Sequence, residues 1–198
     1  MPLARVTLLC SILAISIGCS GGTEPGGGSI TTSGTVAYGF TGLGPDSWNV
    51  TGAVPANDAE QRRGTWSAAH RDNSAAVVTV ISTRPSSALN HHDQTLISIP
   101  SLTTGTHTVD ITACDQINED CPMIELFYGH QNTGVLFQNY CYVHSGSIAI
   151  TSITDSRVMG TFSGTGRCYG SGGFDMGDFV VTNGTFDVGY LSAIPGWI

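Results

Sequence analysis

Six cysteines in a chain of 198 residues pose the first chemical question. Cys114, Cys121, Cys141 and Cys168 lie in the C-terminal half and form no close Cys-x-x-Cys or Cys/His pair of the kind zinc requires. An even set of this sort reads as two disulfides of an oxidising compartment. Three connectivities are open; the short loop between Cys114 and Cys121 closes at the lowest entropic cost, which favours that pair with Cys141 and Cys168 as the other. Inside that loop Asp115, Glu119 and Asp120 crowd together. Hard cations take several carboxylate oxygens from an adaptable loop, so these three are candidate calcium ligands, although their spacing is not that of an EF-hand. A solvated acidic turn is the competing reading. His91-His92-Asp93 suits one metal ion poorly, because neighbours on an extended chain point to opposite sides. The remaining histidines, His70, His107, His130 and His144, are scattered, and neither His-Glu-x-x-His nor Gly-x-Ser-x-Gly occurs. No catalytic residue is assigned and no cofactor is expected. Glu125, Asp175 and Asp178 are carboxylates that would have to meet in space to cleave a glycosidic bond. Trp48, Trp66, Tyr140, Tyr142 and Tyr169 are candidate ligand-binding aromatics, since a ring with an apolar body and a polar tip suits a sugar. Tyr140 and Tyr142 share one face of a strand; core packing is the alternative for all five.

Cys19 has a different chemistry. Arg5 precedes a mostly apolar run over 6–17, which ends in Ser16-Ile17-Gly18-Cys19. This is the layout of an export signal over 1–18, and the run is far shorter than the roughly 20 residues that cross a bilayer. The segment resembles a bacterial lipoprotein signal, in which the cysteine becomes the N-terminus and carries acyl chains. It departs from that pattern at Ser16, where Leu, Val or Ile is usual; Ser16 and Gly18 also fit ordinary signal peptidase, so secretion is the alternative. Residues 19–33 are almost wholly Gly, Ser and Thr, a composition that reads as a tether to a single domain over 34–198.

Charge narrows the partners. The chain carries fifteen acidic residues against seven arginines and no lysine, a formal net charge of −8. Schiff-base lysines and phosphate-loop lysines are absent, and nucleic acid, whose affinity rests on cations neutralising phosphates, is excluded as a partner. A membrane reached through the lipid anchor, a glycan or protein partner, and self-assembly remain.

The elements that must position these residues are strands. Short β-branched or alternating runs recur at 35–40, 48–54, 65–69, 75–83, 95–99, 106–113, 123–128, 135–143, 147–153, 158–164, 178–182 and 185–190. Turn chemistry separates them, for instance Gly44-Pro45-Asp46 and Arg84-Pro85-Ser86. Only 56–63 hints at a helix. The expected fold is all-β, an antiparallel two-sheet β-sandwich of jelly-roll-like or immunoglobulin-like type with little helix. In 147–164 one register unites Ile148, Ile150, Val158 and Phe162 if Thr154-Asp155-Ser156 forms a three-residue loop. Carried backwards, that register sets Cys168 opposite Tyr142, and a bulge at Gly146 would bring it to Cys141. Asn183-Gly184 suits a two-residue hairpin turn.

The runs Ser145-Gly146-Ser147-Ile148-Ala149-Ile150-Thr151, Met159-Gly160-Thr161-Phe162-Ser163-Gly164 and Val181-Thr182-Asn183-Gly184-Thr185-Phe186-Asp187-Val188 resemble a family of uncharacterised bacterial lipoprotein-type β-sandwich domains. The resemblance implies a sandwich fold and an envelope location, and it brings no site residues with it. The expectation is therefore an envelope-tethered extracytoplasmic β-sandwich of structural or binding type without catalysis. Three alternatives stand beside it: a carbohydrate-binding or calcium-stabilised adhesion module, a surface-assembly or filament subunit that pairs through edge strands or the apolar tail 191–198, and a secreted hydrolase. A flat exposed aromatic row would favour a binding module; converging carboxylates or histidines in a cleft would favour an enzyme.

Overall fold

A computed structural model describes residues 32–42, 47–86, 91–114, 121–131, 139–170 and 172–192. Cys19 with the leader and most of the tether, Asp115, Glu119, Asp120, the 44–46 turn and the tail beyond 192 lie outside the described residues.

Among the described residues, ten strands and one helical turn follow in order. They are β1 (Ser33–Thr41), β2 (Ser47–Ala53), α1 (Asp58–Gln61), β3 (Trp66–Asp72), β4 (Val77–Pro85), β5 (His91–Ile99), β6 (Gly105–Asp110), β7 (Met123–Gln131), β8 (Asn139–Ile153), β9 (Arg157–Gly170) and β10 (Asp175–Leu191). The fold is all-β and sandwich-like. Strand alternation is plain in β1, where Val36, Tyr38 and Phe40 are buried while Thr35, Ala37 and Gly39 are half-exposed. α1 forms because the side chain of Asn57 accepts the Glu60 N–H, an N-cap that fixes a single turn.

β8, β9 and β10 run to 15, 14 and 17 residues, well beyond the usual five or six, and form the spine of the domain. Each outer strand of this spine serves two layers. The edge of β8 away from β9 takes β7 near Tyr140–Tyr142 and then β6 near Ser145–Ile150. The corresponding edge of β10 takes β1 over Val180–Val188 and then β3 at Tyr190 and Leu191. Since β3, β4, β5 and β7 pair in succession, the pairings close a ring through β10, β3, β4, β5, β7, β8 and β9. Two separate antiparallel sheets were expected; the strands instead form one hydrogen-bonded system, and the β10–β3 seam is parallel. The spine strands are long enough to pass from one layer into the other, so the layers share them.

The local expectations need three corrections. Asn183-Gly184 is no hairpin turn, because β10 runs straight through it. Asn183 alone adopts a positive φ, 53°, whereas the two-residue turn needs it at both central positions, and the register against β9 slips between Val181 and Gly184. The pair makes a bulge. The β8–β9 connection closes with Thr154 N–H donating to Arg157 C=O, which leaves Asp155 and Ser156 as a two-residue turn. A register slip between Ile150 and Ser152 then restores the expected pairing of Ile148 with Phe162. The second slip in this hairpin lies between Val143 and Ser145, at His144 and not at Gly146, and it sets Cys141 opposite Cys168.

Most of the core lies inside the ring, where Phe40, Trp48, Ile97, Leu126, Ile148 and Phe179 are among the fully buried side chains. A smaller cluster of Trp66, Ala68 and Ile81 sits on the other face of β3 and β4, with Val54, Leu96 and Leu191 packed against it.

Candidate functional site

Trp48 and Trp66 cannot form an exposed platform, because they are 1% and 0% exposed. The Trp48 ring stacks on Tyr38 at 5.8 Å, its N–H donates to Ser82 Oγ, and the Arg84 guanidinium lies 4.3 Å from its centroid. The Trp66 N–H donates to the Gln61 carbonyl, which pins the helical turn over the smaller cluster. Both indoles bury their apolar body and satisfy their donor, as a core tryptophan must.

The tyrosines behave differently. Tyr140 and Tyr142 alternate with buried Cys141 and Val143, so they stand on the outer face of β8, half-buried. Tyr140 pairs across the ladder with Tyr169 on β9, and Tyr142 with Arg167. The three phenol rings converge, with centroids 5.4 to 6.0 Å apart and planes within 20° of one another. His144 closes one end, 5.0 Å from Tyr142 and tilted by 45°. Burial pushes the Tyr142 hydroxyl up to about 12, and the neighbouring Tyr169 hydroxyl adds to this.

The ladder registers extend the patch into two cross-strand rows. Glu125 on β7, Tyr142 on β8, Arg167 on β9 and Asp178 on β10 form one; Phe127, Tyr140, Tyr169 and Asp175 form the other. Arg167 joins the rows, its Nε donating to Asp178 at 3.0 Å and its Nη1 in an ion pair with Asp175 at 2.9 Å. Burial raises the Glu125 carboxyl above its ordinary value. Glu125 and Asp178 are three strands apart, about 14 Å along the hydrogen-bonding direction. Tyr142 and Arg167 stand between them. Paired glycosidase carboxylates lie within about 5 to 9.5 Å. Asp175 and Asp178 are instead neighbours tied to one guanidinium.

On the reverse side of the same strands lies the Cys141–Cys168 disulfide, with Cα atoms 4.0 Å apart and both residues buried. It clamps β8 to β9 directly behind the tyrosines. Cys114 is bonded to Cys121.

His92 and Asp93 occur in β5, both buried, and Asp93 takes an ion pair from Arg84 at 3.4 Å. Thr95, two residues on, bonds the buried Tyr38 hydroxyl at 2.8 Å. Asp93 and Thr95 share the inner face with Ile97 and Ile99, and His92 falls on the other side of β5 with Leu96. Among the described residues no three His, Cys, Asp or Glu side chains gather as metal ligands.

Residue-type reasoning missed Phe174. It sits at the tip of the β9–β10 hairpin, 74% exposed, next to the Tyr169–Asp175 pair. The signal was present in Gly170-Ser171-Gly172-Gly173-Phe174, where a large aromatic follows three glycines that offer it nothing to pack into. Gly172 and Gly173 both adopt positive φ, 88° and 80°, which makes the tip a glycine-dependent turn.

Comparison of the chain with protein-family models, curated proteins and solved structures finds no match.

Proposed function

We propose that this protein is an envelope-tethered, extracytoplasmic β-sandwich that acts as a non-catalytic binding module and presents the outer face of β7 to β10 to its partner. The observation that carries the reading is the convergence of Tyr140, Tyr142 and Tyr169 at 5.4 to 6.0 Å on a half-exposed sheet face. Aromatic side chains with polar tips are enriched where proteins meet partners, because they bury much area at small conformational cost. A disulfide behind the face reduces the entropy lost on binding. Tethering is supported by the leader, by Cys19 and by the Gly/Ser/Thr-rich stretch after it. Two disulfides fit an oxidising compartment.

Co-sedimentation of the detergent-solubilised full-length protein with detergent-washed fragments of its own cell envelope tests the binding face. Wild type should pellet with the fragments, and the Tyr142→Ala/Tyr169→Ala variant should stay in solution. Equal pelleting of both would reject the tyrosine face. Intact-mass spectrometry of the native protein tests the tether: a mass beginning at Cys19 with acyl chains supports it, and an unacylated mass removes it.

A further inference from the structure

We infer that the ligand of this face is an uncharged polysaccharide, laid across β8, β9 and β10 with sugar rings on the tyrosines and hydroxyls on the Arg167 fork. This inference rests on the binding-face reading and names its ligand class. Three near-parallel phenol rings 5.4 to 6.0 Å apart make a patch on the scale of one or two pyranose rings. A pyranose has an apolar C–H face, which an aromatic ring accepts, and a rim of hydroxyls that each donate and accept.

The rim of the patch matches that demand. Asp175 and Asp178 supply acceptors at 51% and 79% side-chain exposure, and Arg167 is fixed between them. Its hydrogen bond to Asp178 uses Nε and its ion pair with Asp175 uses Nη1, so Nη2 keeps its donors for a ligand. Phe174 is an exposed aromatic at the adjoining hairpin tip, one residue before Asp175.

Charge selects within the sugars. Glu125, Asp175 and Asp178 outnumber Arg167 on the face, and the whole chain carries −8. A polyanion would be repelled both locally and by the field of the whole molecule. A polycation would be drawn to the carboxylates, yet that attraction needs no converged tyrosines. Rings paired with a donor-and-acceptor rim fit a neutral chain. A protein partner would need an interface extending well beyond these two rows.

Affinity electrophoresis of the full-length protein in mild detergent tests this. Gels would contain a neutral polymer (hydroxyethylcellulose, mixed-linkage β-glucan or glucomannan), the polyanion polygalacturonate, or the polycation glycol chitosan. The expected result is retardation by at least one neutral polymer, weakened about tenfold or more in Tyr169→Ala, and no retardation by polygalacturonate. A second variant, Asp178→Arg, changes an exposed side chain and spares the packing. It should weaken neutral retardation severalfold and create retardation by polygalacturonate. Failure of all neutral polymers would overturn the inference. If the envelope fragments still pelleted the wild type through its tyrosines, the binding face would stand with a protein as its partner. Retardation by glycol chitosan alone would also overturn the neutral class, and the face would then act through charge.

Discussion

Glu125 carries a carboxyl that burial raises above its ordinary value, so ionising it works against the folded state. Its favourable contribution is present below the unfolded carboxylate pKa and is lost as pH rises through the raised folded value. Glu125→Gln should therefore raise stability at neutral pH and leave it unchanged well below the carboxylate range, as urea titrations at the two pH values would show. The aromatic residues divide as sharply. Trp48→Ala removes a fully buried ring, strips Ser82 of a donor and leaves Arg84 without its stacking surface, a loss of about 3 to 5 kcal/mol. Tyr140→Ala, on the outer face, should cost about 1 kcal/mol or less; the same titration compares them. Sequence alone placed Trp48 and Tyr140 in one candidate set because residue type and alternation are alike for both. What separates them is the strand that lands opposite. Trp48 meets β4 through Ser82 and Arg84, whereas Tyr140 meets only the neighbouring strands of its own ladder. Such long-range pairing leaves no mark within a few residues of either ring.

Strands were legible where alternation was clean, and boundaries were lost where the chain bulges. The runs 178–182 and 185–190 read as two strands around a turn, yet a single positive φ at Asn183 keeps them in one. The run 147–153 and residues 139–143 of the run 135–143 likewise fall in β8, on either side of the slip at His144; 135–138 lie outside the described residues. A bulge and a turn draw on the same residue types, Asn and Gly with left-handed backbone, and only the partner strands decide between them. The cysteine pairing was readable because loop length orders the options and the hairpin register came within one residue of the answer. The two disulfides should differ in worth. By chain entropy the Cys141–Cys168 bond, with a separation of 27, contributes about 3.5 kcal/mol. Cys114–Cys121, with a separation of 7, contributes about 2.4 kcal/mol. Denaturant unfolding of Cys141→Ala/Cys168→Ala and Cys114→Ala/Cys121→Ala should rank them in that order. A reversed ranking would mean that β8 and β9 hold their register without the bond.

At the scale of the whole molecule the ring depends on a small seam. β10 meets β3 only at Tyr190–Ala69 and Leu191–His70, and Leu191 also packs against the Trp66 cluster. Leu191→Asp should loosen that seam first. Hydrogen exchange would speed up in β3 while the amides shared by β8 and β9 stay protected. The all-β class was legible from composition and period, but closure was not, because no local pattern says that a late strand will lie parallel to an early one. That late strand has a temporal consequence. β10 supplies pairing partners to β1, β3 and β9, so the earliest strand of the domain has no second neighbour until residues 180–188 have been synthesised. A chain that emerges N-terminus first holds β1 and β2 as an isolated hairpin, marginal by itself, until nearly its whole length has emerged. The domain therefore matures in one late step, and any escort that keeps it from aggregating must hold it until its last strand arrives.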